Sequence, residues 1–95
     1  MKVFSGINDK LGIDMGSSQI RIYSDKRVIL EEASCAALED NSGKILGFGT
    51  DAIIRSHSSS GDCRIEWTIR NGIMVDYEIT KKMLRYFITV SYTHL

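Results

Sequence analysis

Residues Leu11–Tyr23 read LGIDMGSSQIRIY. An apolar run built on Leu11, Ile13 and Met15 carries an aspartate, Asp14, near its end. A Gly16-Ser17-Ser18 turn follows, and polar and apolar residues then alternate through Gln19, Ile20, Arg21, Ile22 and Tyr23. The pattern predicts strand, turn, strand, with Asp14 and the turn at one end of a sheet. Gly16 has no Cβ, so its backbone can bend and approach a ligand closely. Consecutive backbone N–H groups in such a turn can form a concave anion site, and the hydroxyls of Ser17 and Ser18 add donors. A carboxylate beside that site would repel a bare phosphate; a divalent cation between them, held partly through water, reconciles the two. The stretch reads as a Mg²⁺-nucleotide end. A plain Gly-Ser hairpin, with the aspartate capping backbone groups, is the competing reading of the same residues.

Working outward, Lys10–Met15 and Gln19–Ser24 are the first two predicted strands, and Ser24-Asp25-Lys26 turns the chain. Arg27–Glu32 is the third, with Val28, Ile29 and Leu30 contiguous and expected to be covered on both faces. Ser34–Leu38 is small and apolar, either a strand or a crowded edge. Asn41-Ser42-Gly43 signals a turn, so Lys44–Phe48 should return antiparallel. Thr50 is the candidate N-cap of a short helix ending near Arg55, with Asp51 in its first turn. Ser56–Asp62 reads as a polar linker, because its serines and glycine come without the lysine a P-loop needs. Cys63–Ile69 alternates in phase as one half-buried strand that places Trp67 on the core side. Asp76 is the expected N-cap of a helix from Tyr77 to about Val90. That helix should bury Ile79, Met83, Phe87 and Val90, with Leu84 and Tyr86 flanking, and pair Glu78 with Lys82. Lys81, Lys82 and Arg85 fall on its outer, solvated face.

Ninety-five residues allow one small domain with a modest core. Twelve basic and twelve acidic residues cancel, so no charge footprint favours nucleic acid or an anionic membrane. A hydrophobic content of 43% fits a globular chain rather than a disordered one. No apolar run approaches the ~20 residues of a membrane span. Met1–Lys10 has too little apolar length for a signal peptide. An intracellular protein with Cys35 and Cys63 as reduced thiols is expected. The two cysteines match no metal spacing, and a closed zinc site needs four ligands. Val3 and Phe4, in Met1–Ile7, offer too small an apolar face for interfacial binding.

LGIDMGSSQIRIY resembles the first phosphate loop of the actin, Hsp70 and sugar-kinase superfamily, and within it the MreB-type bacterial actin-like cell-shape proteins, where the segment reads D-L-G-T-A-N. VILEEASCAALEDNSGKILGFGTDA is similar to that family's "EPSVVAL" strand, Gly turn, "VLAVG" strand and following helix. NGIMVDYEITKKMLRYFI is similar to its "DGVIADFxVTxxMLxYFI". The likeness runs in order from roughly Leu11 to Ile88. Departures are Gln19 for the family's Asn, Ala33 for the Pro of EPS, and SHSSSGD, Ser56–Asp62, for its R-T-P-G-N loop.

The resemblance implies an α/β fold: part of a ribonuclease-H-like actin-type ATPase lobe, a β-meander followed by a short helix, a strand and a C-terminal amphipathic helix. Residues 1–90 would be the N-terminal part of the first lobe. Ser91–Leu95, SYTHL, resembles translated adapter read-through on truncated genes, a tail foreign to the native sequence. The intact protein would bind ATP and Mg²⁺ between two lobes, self-assemble into filaments at the inner face of the cytoplasmic membrane, and guide cell-wall synthesis, with no role for nucleic acid. Asp14 would sit near the metal through water, and Gly16, Ser17 and Ser18 would hold the β- and γ-phosphates, with Gln19 in the place of the family's Asn. The catalytic acid, second phosphate loop and adenosine pocket would lie beyond residue 95, so this stretch alone should neither turn over ATP nor polymerise. Two alternatives stay open: an Hsp70-type chaperone or a sugar or acetate kinase, and a non-enzymatic assembly protein of the same fold.

Overall fold

The computed structural model describes residues 2–5, 10–58 and 62–93, with 2–5 and 10 as backbone only. The chain order is β1(Lys2–Ser5), β2(Lys10–Met15), β3(Gln19–Ser24), β4(Arg27–Ala33), β5(Cys35–Glu39), β6(Ile45–Phe48), α1(Gly49–Ser58), β7(Cys63–Trp67), β8(Ile69–Arg70), β9(Ile73–Met74) and α2(Tyr77–Tyr92). The strands form a four-stranded antiparallel sheet in the order β1-β2-β3-β4, a three-stranded sheet β6-β5-β7, and the small hairpin β8-β9.

Alternation in β2 and β3 decides which face of the first sheet is buried. Ile13, Ile22 and Leu30 lie in cross-strand register, as do Asp14, Arg21 and Glu31. Since neighbouring rows point to opposite faces, the first row is core and the second is solvent-facing. Leu11, Ile13, Ile20, Ile22 and Leu30 make one buried cluster with Met83 and Phe87 of α2. At about 25 cal/mol per Å² of apolar surface, burying each such side chain contributes roughly 1.5–3 kcal/mol to this helix–sheet seam. A register shift between Ile22 and Tyr23 interrupts the β3–β4 ladder. Val28 is left 50% exposed, which corrects the expectation that β4 is covered on both faces. β5 settles the open choice at Ser34–Leu38: it is the central strand of its sheet, and Cys35 and Ala37 pack with Ala52 of α1. Ile65 and Trp67 join the same cluster, as their alternation predicts.

Several boundaries differ from the sequence reading. β1 was not foreseen; it pairs with β2 in the register Val3↔Gly12 and Phe4↔Leu11. The predicted single strand Cys63–Ile69 breaks at Thr68. Beyond the break, β8 and β9 form a hairpin around Asn71 and Gly72, whose φ values of 53° and 75° are those of the tight turn that Asn-Gly favours. α1 starts at Gly49 and runs to Ser58, three residues past Arg55, with Arg55 paired to Asp51 at 2.9 Å. Its cap also differs: the Thr50 N–H donates to Glu32 Oε1 of β4 at 2.7 Å, so a distant carboxylate does the work assigned to Thr50. The central part of the Ser56–Asp62 linker, 59–61, lies outside the described residues.

α2 begins as expected, with Asp76 accepting from the Ile79 N–H at 3.0 Å. It continues to Tyr92, and its fully buried stripe is Thr80, Met83, Phe87 and Ser91, rotated slightly from the predicted one. The short hydroxyl side chains fit there because they bond their own helix: Thr80 Oγ1 to the Asp76 carbonyl and Ser91 Oγ to that of Phe87. Glu78 pairs with Lys81 at 3.4 Å rather than with Lys82.

Candidate functional site

Asp14, Gly16, Ser18 and Gln19 line one open cavity of about 160 Å³ at the end of β2 and β3, together with Arg21. Strand pairing brings them there. Asp14 and Arg21 are directly opposite on the solvent face, and the turn joins the two strands just beyond them. Ser17 belongs to the same turn and is exposed, but does not line the cavity. The turn is closed by the Gly16 N–H donating to the Gln19 carbonyl at 2.9 Å. Gly16 does not use positive φ. Its value is close approach, because a Cβ there would stand 3.1 Å from the Gln19 carbonyl oxygen.

Arg21 was not named as a site residue, although its place opposite Asp14 follows from a two-stranded reading of Leu11–Tyr23. Its Nε is 2.5 Å from Glu31 Oε2, and its Nη2 donates to Gln19 Oε1 at 3.2 Å. The Glu31 carboxylate, by hydrogen bond and by charge, holds the guanidinium pKa above its ordinary value. Thus Gln19 and Arg21 are oriented by one another, and Arg21 brings its charge to the cavity already partnered.

The turn is anchored from below. Ser34 Oγ donates to the Gly16 carbonyl at 2.9 Å, and the Ser34 N–H to the Ser18 carbonyl at 3.1 Å. Sequence reasoning places Ser34 only at the start of a segment that is either a strand or a crowded edge; its position in the EAS segment is the available signal.

The donor set can hold an anion only with help. The lining residues bring one carboxylate, a hydroxyl, a side-chain amide and a paired guanidinium. Among the described residues no group of three or more His, Cys, Asp or Glu is placed to hold a metal ion. A cation at Asp14 would take the rest of its shell from phosphate oxygens and water, which is how Mg²⁺ commonly sits beside nucleotides. Away from this site, Cys35 is fully buried, and burial pushes its thiol pKa up to about 11 while its Sγ lies 3.6 Å from the Gly49 carbonyl. No helix among the described residues is long and apolar enough to cross a membrane.

Comparison with known proteins gives a consistent result. The family description MreB/Mbl protein matches residues 8–94. Over 79 residues the chain is 34% identical to the cell shape-determining protein Mbl of Bacillus cereus, and equally to that of Bacillus subtilis, covering 82% of this chain and 24% of each relative. The chain therefore spans about a quarter of the length of these relatives. The fold is similar to that of MreB5 of Spiroplasma citri, solved bound to AMPPNP (TM-score 0.70, 20% identity, 83% of this chain and 24% of that one). The ADP-bound MreB5 structure is similar too (TM-score 0.71, 19% identity, 87% and 26%). The ordered blocks, the family match and the shared architecture lead to one conclusion: this chain belongs to the MreB/Mbl family and carries part of the MreB actin-like fold.

Proposed function

We propose that this chain is the part of an MreB/Mbl-type protein that holds the phosphate end of ATP·Mg²⁺. The observation that carries the reading is the convergence of Asp14, Gly16, Ser18 and Gln19 on one cavity at the β2–β3 turn. Asp14 orders the cation through water, and the turn N–H groups and the Ser17 and Ser18 hydroxyls take phosphate oxygens. Mg²⁺ held there would supply charge neutralisation, which would let the Asp14 carboxylate stand beside phosphate. In the intact protein, nucleotide binding supports assembly of copies into cytoplasmic filaments at the inner face of the membrane, and those filaments guide cell-wall synthesis. Family membership supports that wider role. So do the AMPPNP- and ADP-bound structures of MreB5 that share the fold.

Hydrolysis needs a positioned water and a clamp around the γ-phosphate. This stretch contributes the binding turn and no catalytic residue, so the 95-residue chain alone turns over no ATP and forms no filament. A fluorescent ATP analogue titrated into the full gene product, with and without Mg²⁺, tests the reading. Saturable binding that requires Mg²⁺ and is lost in Asp14→Ala is expected. Binding indifferent to both Mg²⁺ and Asp14 would refute the assignment. One observation favours a second reading, an assembly protein that has lost nucleotide. Gln19 is bonded to Arg21, and Arg21 is already neutralised by Glu31, so the cavity offers no unpaired cation to phosphate. Filaments that form equally well without nucleotide would support it.

A further inference from the structure

Ser34 stands at the β4–β5 junction with its side chain fully buried, and it reaches the turn from the protein side. Its two donors bracket Ser17. The hydroxyl takes the carbonyl before it, that of Gly16, at 2.9 Å, and the N–H takes the carbonyl of Ser18 at 3.1 Å. In a trans peptide the C=O and the following N–H point in opposite directions. The described residues contain no cis peptide. Tying the Gly16 carbonyl to Ser34 therefore turns the Ser17 N–H the opposite way, away from Ser34. Ser34 is held in turn. Its carbonyl accepts the Thr68 N–H at 3.0 Å and Thr68 Oγ1 at 3.1 Å. Thr68 is also fully buried, and its own carbonyl accepts the Val75 N–H at 2.8 Å from just beyond β9. Every buried side-chain N or O atom among the described residues has a partner, so this chain of bonds is complete.

We propose that Ser34 is a positioning residue for the phosphate-binding turn: its hydroxyl fixes the Gly16–Ser17 peptide with the N–H facing away from Ser34, and Thr68 fixes Ser34. This rests on the nucleotide reading above. Ser34 itself touches no ligand. Its effect falls on the phosphate-dependent part of binding and leaves the nucleoside part alone, because the bonds it makes end in the turn.

The test uses the full gene product, with MgADP and adenosine as probes in competition titrations. Ser34→Ala weakens MgADP roughly fivefold, about 1 kcal/mol for one hydrogen bond, and leaves adenosine unchanged. Thr68→Val, which keeps the volume and removes the hydroxyl, moves MgADP in the same direction, whereas Thr68→Ser restores it. In the nucleotide-free protein, Ser34→Ala speeds amide exchange across Gly16–Gln19 and leaves Cys63–Trp67 as it was. Equal losses for MgADP and adenosine would show a merely structural role and overturn the proposal. Unchanged MgADP affinity with unchanged exchange would overturn it as well. If Ser34→Ala does not fold, the two Thr68 variants decide by the same readouts. A wild-type protein that binds no MgADP refutes the nucleotide reading itself, an outcome distinct from either of these.

Discussion

Replacing Gly49 by alanine tests how the two sheets and α2 are locked together. Gly49 opens α1, is buried, and has φ of +65°. A Cβ at this position would stand 2.9 Å from Phe87 Cζ of α2 and against the Glu32 carboxylate oxygen that caps α1. The left-handed backbone costs an alanine about 1–2 kcal/mol. Crowding Phe87 adds about 1–3 kcal/mol. Displacing the Glu32 carboxylate from the Thr50 N–H, at 2.7 Å, adds about 1 kcal/mol more. The total is about 3–6 kcal/mol. Gly43→Ala supplies the comparison. Gly43 also has positive φ, +71°, but nothing lies within 4 Å of its Cβ position, so only the backbone cost of about 1–2 kcal/mol applies. The two variants should then differ by about 2–4 kcal/mol. For a chain this size each kcal/mol moves Tm by about 4–8 °C, which puts Gly49→Ala about 8–30 °C below Gly43→Ala. Urea and thermal unfolding followed by far-UV circular dichroism and Trp67 fluorescence would measure the gap. Equal losses in the two variants would refute the packing argument and leave only the backbone term.

Further outcomes follow from the same geometry. Phe87→Ala removes a fully buried ring that contacts Phe48 and Tyr86 and should cost about 3–5 kcal/mol in urea unfolding. Asp76→Ala deletes the bond to the Ile79 N–H and should cost about 0.5–2 kcal/mol, visible as earlier thermal loss of helical signal. Cys35 makes stability pH-dependent. Its thiol pKa is raised from the ordinary 9.0 to about 11, so the folded state holds the proton more tightly than the unfolded state. The contribution of this group to stability is therefore lost as pH rises from about 9 to about 11, about 2–3 kcal/mol at 1.36 kcal/mol per pH unit. The slope attributable to this group disappears in Cys35→Ala, as denaturant titrations at pH 8 and pH 11 would show.

The parts of the fold that local pattern dictates were legible in the sequence. Alternation in Gln19–Ser24 and Cys63–Trp67, the turns at Asp25-Lys26 and Asn41–Gly43, and the Asp76 cap depend on residues close along the chain. The grouping of Asp14, Gly16, Ser18 and Gln19 around one cavity was legible for the same reason, since these residues are close along the chain. What escaped depends on tertiary partners. Glu32 caps α1 from eighteen residues away, and no local signal marks it as doing so. Ser34 and Thr68 look like ordinary small polar residues until their bonds are traced. The β8–β9 hairpin was missed for a different reason. Asn71-Gly72 is a strong turn signal, but in-phase alternation up to Ile69 favoured one longer strand. β1 was missed because four residues with a single alternation give little periodicity; its pairing with β2 makes it a strand.

Asp14 and its turn are proposed to bind the phosphate end of a magnesium nucleotide. Thermal unfolding of the full gene product, with and without MgATP, tests this most directly. A ligand that binds only the folded state raises stability by RT ln(1 + [L]/Kd), about 2.7 kcal/mol at a hundredfold excess over Kd. A clear upward shift of Tm with MgATP is expected, and a much smaller one for Asp14→Ala. Unfolding indifferent to saturating MgATP, or an Asp14→Ala variant stabilised as much as the wild type, would contradict it.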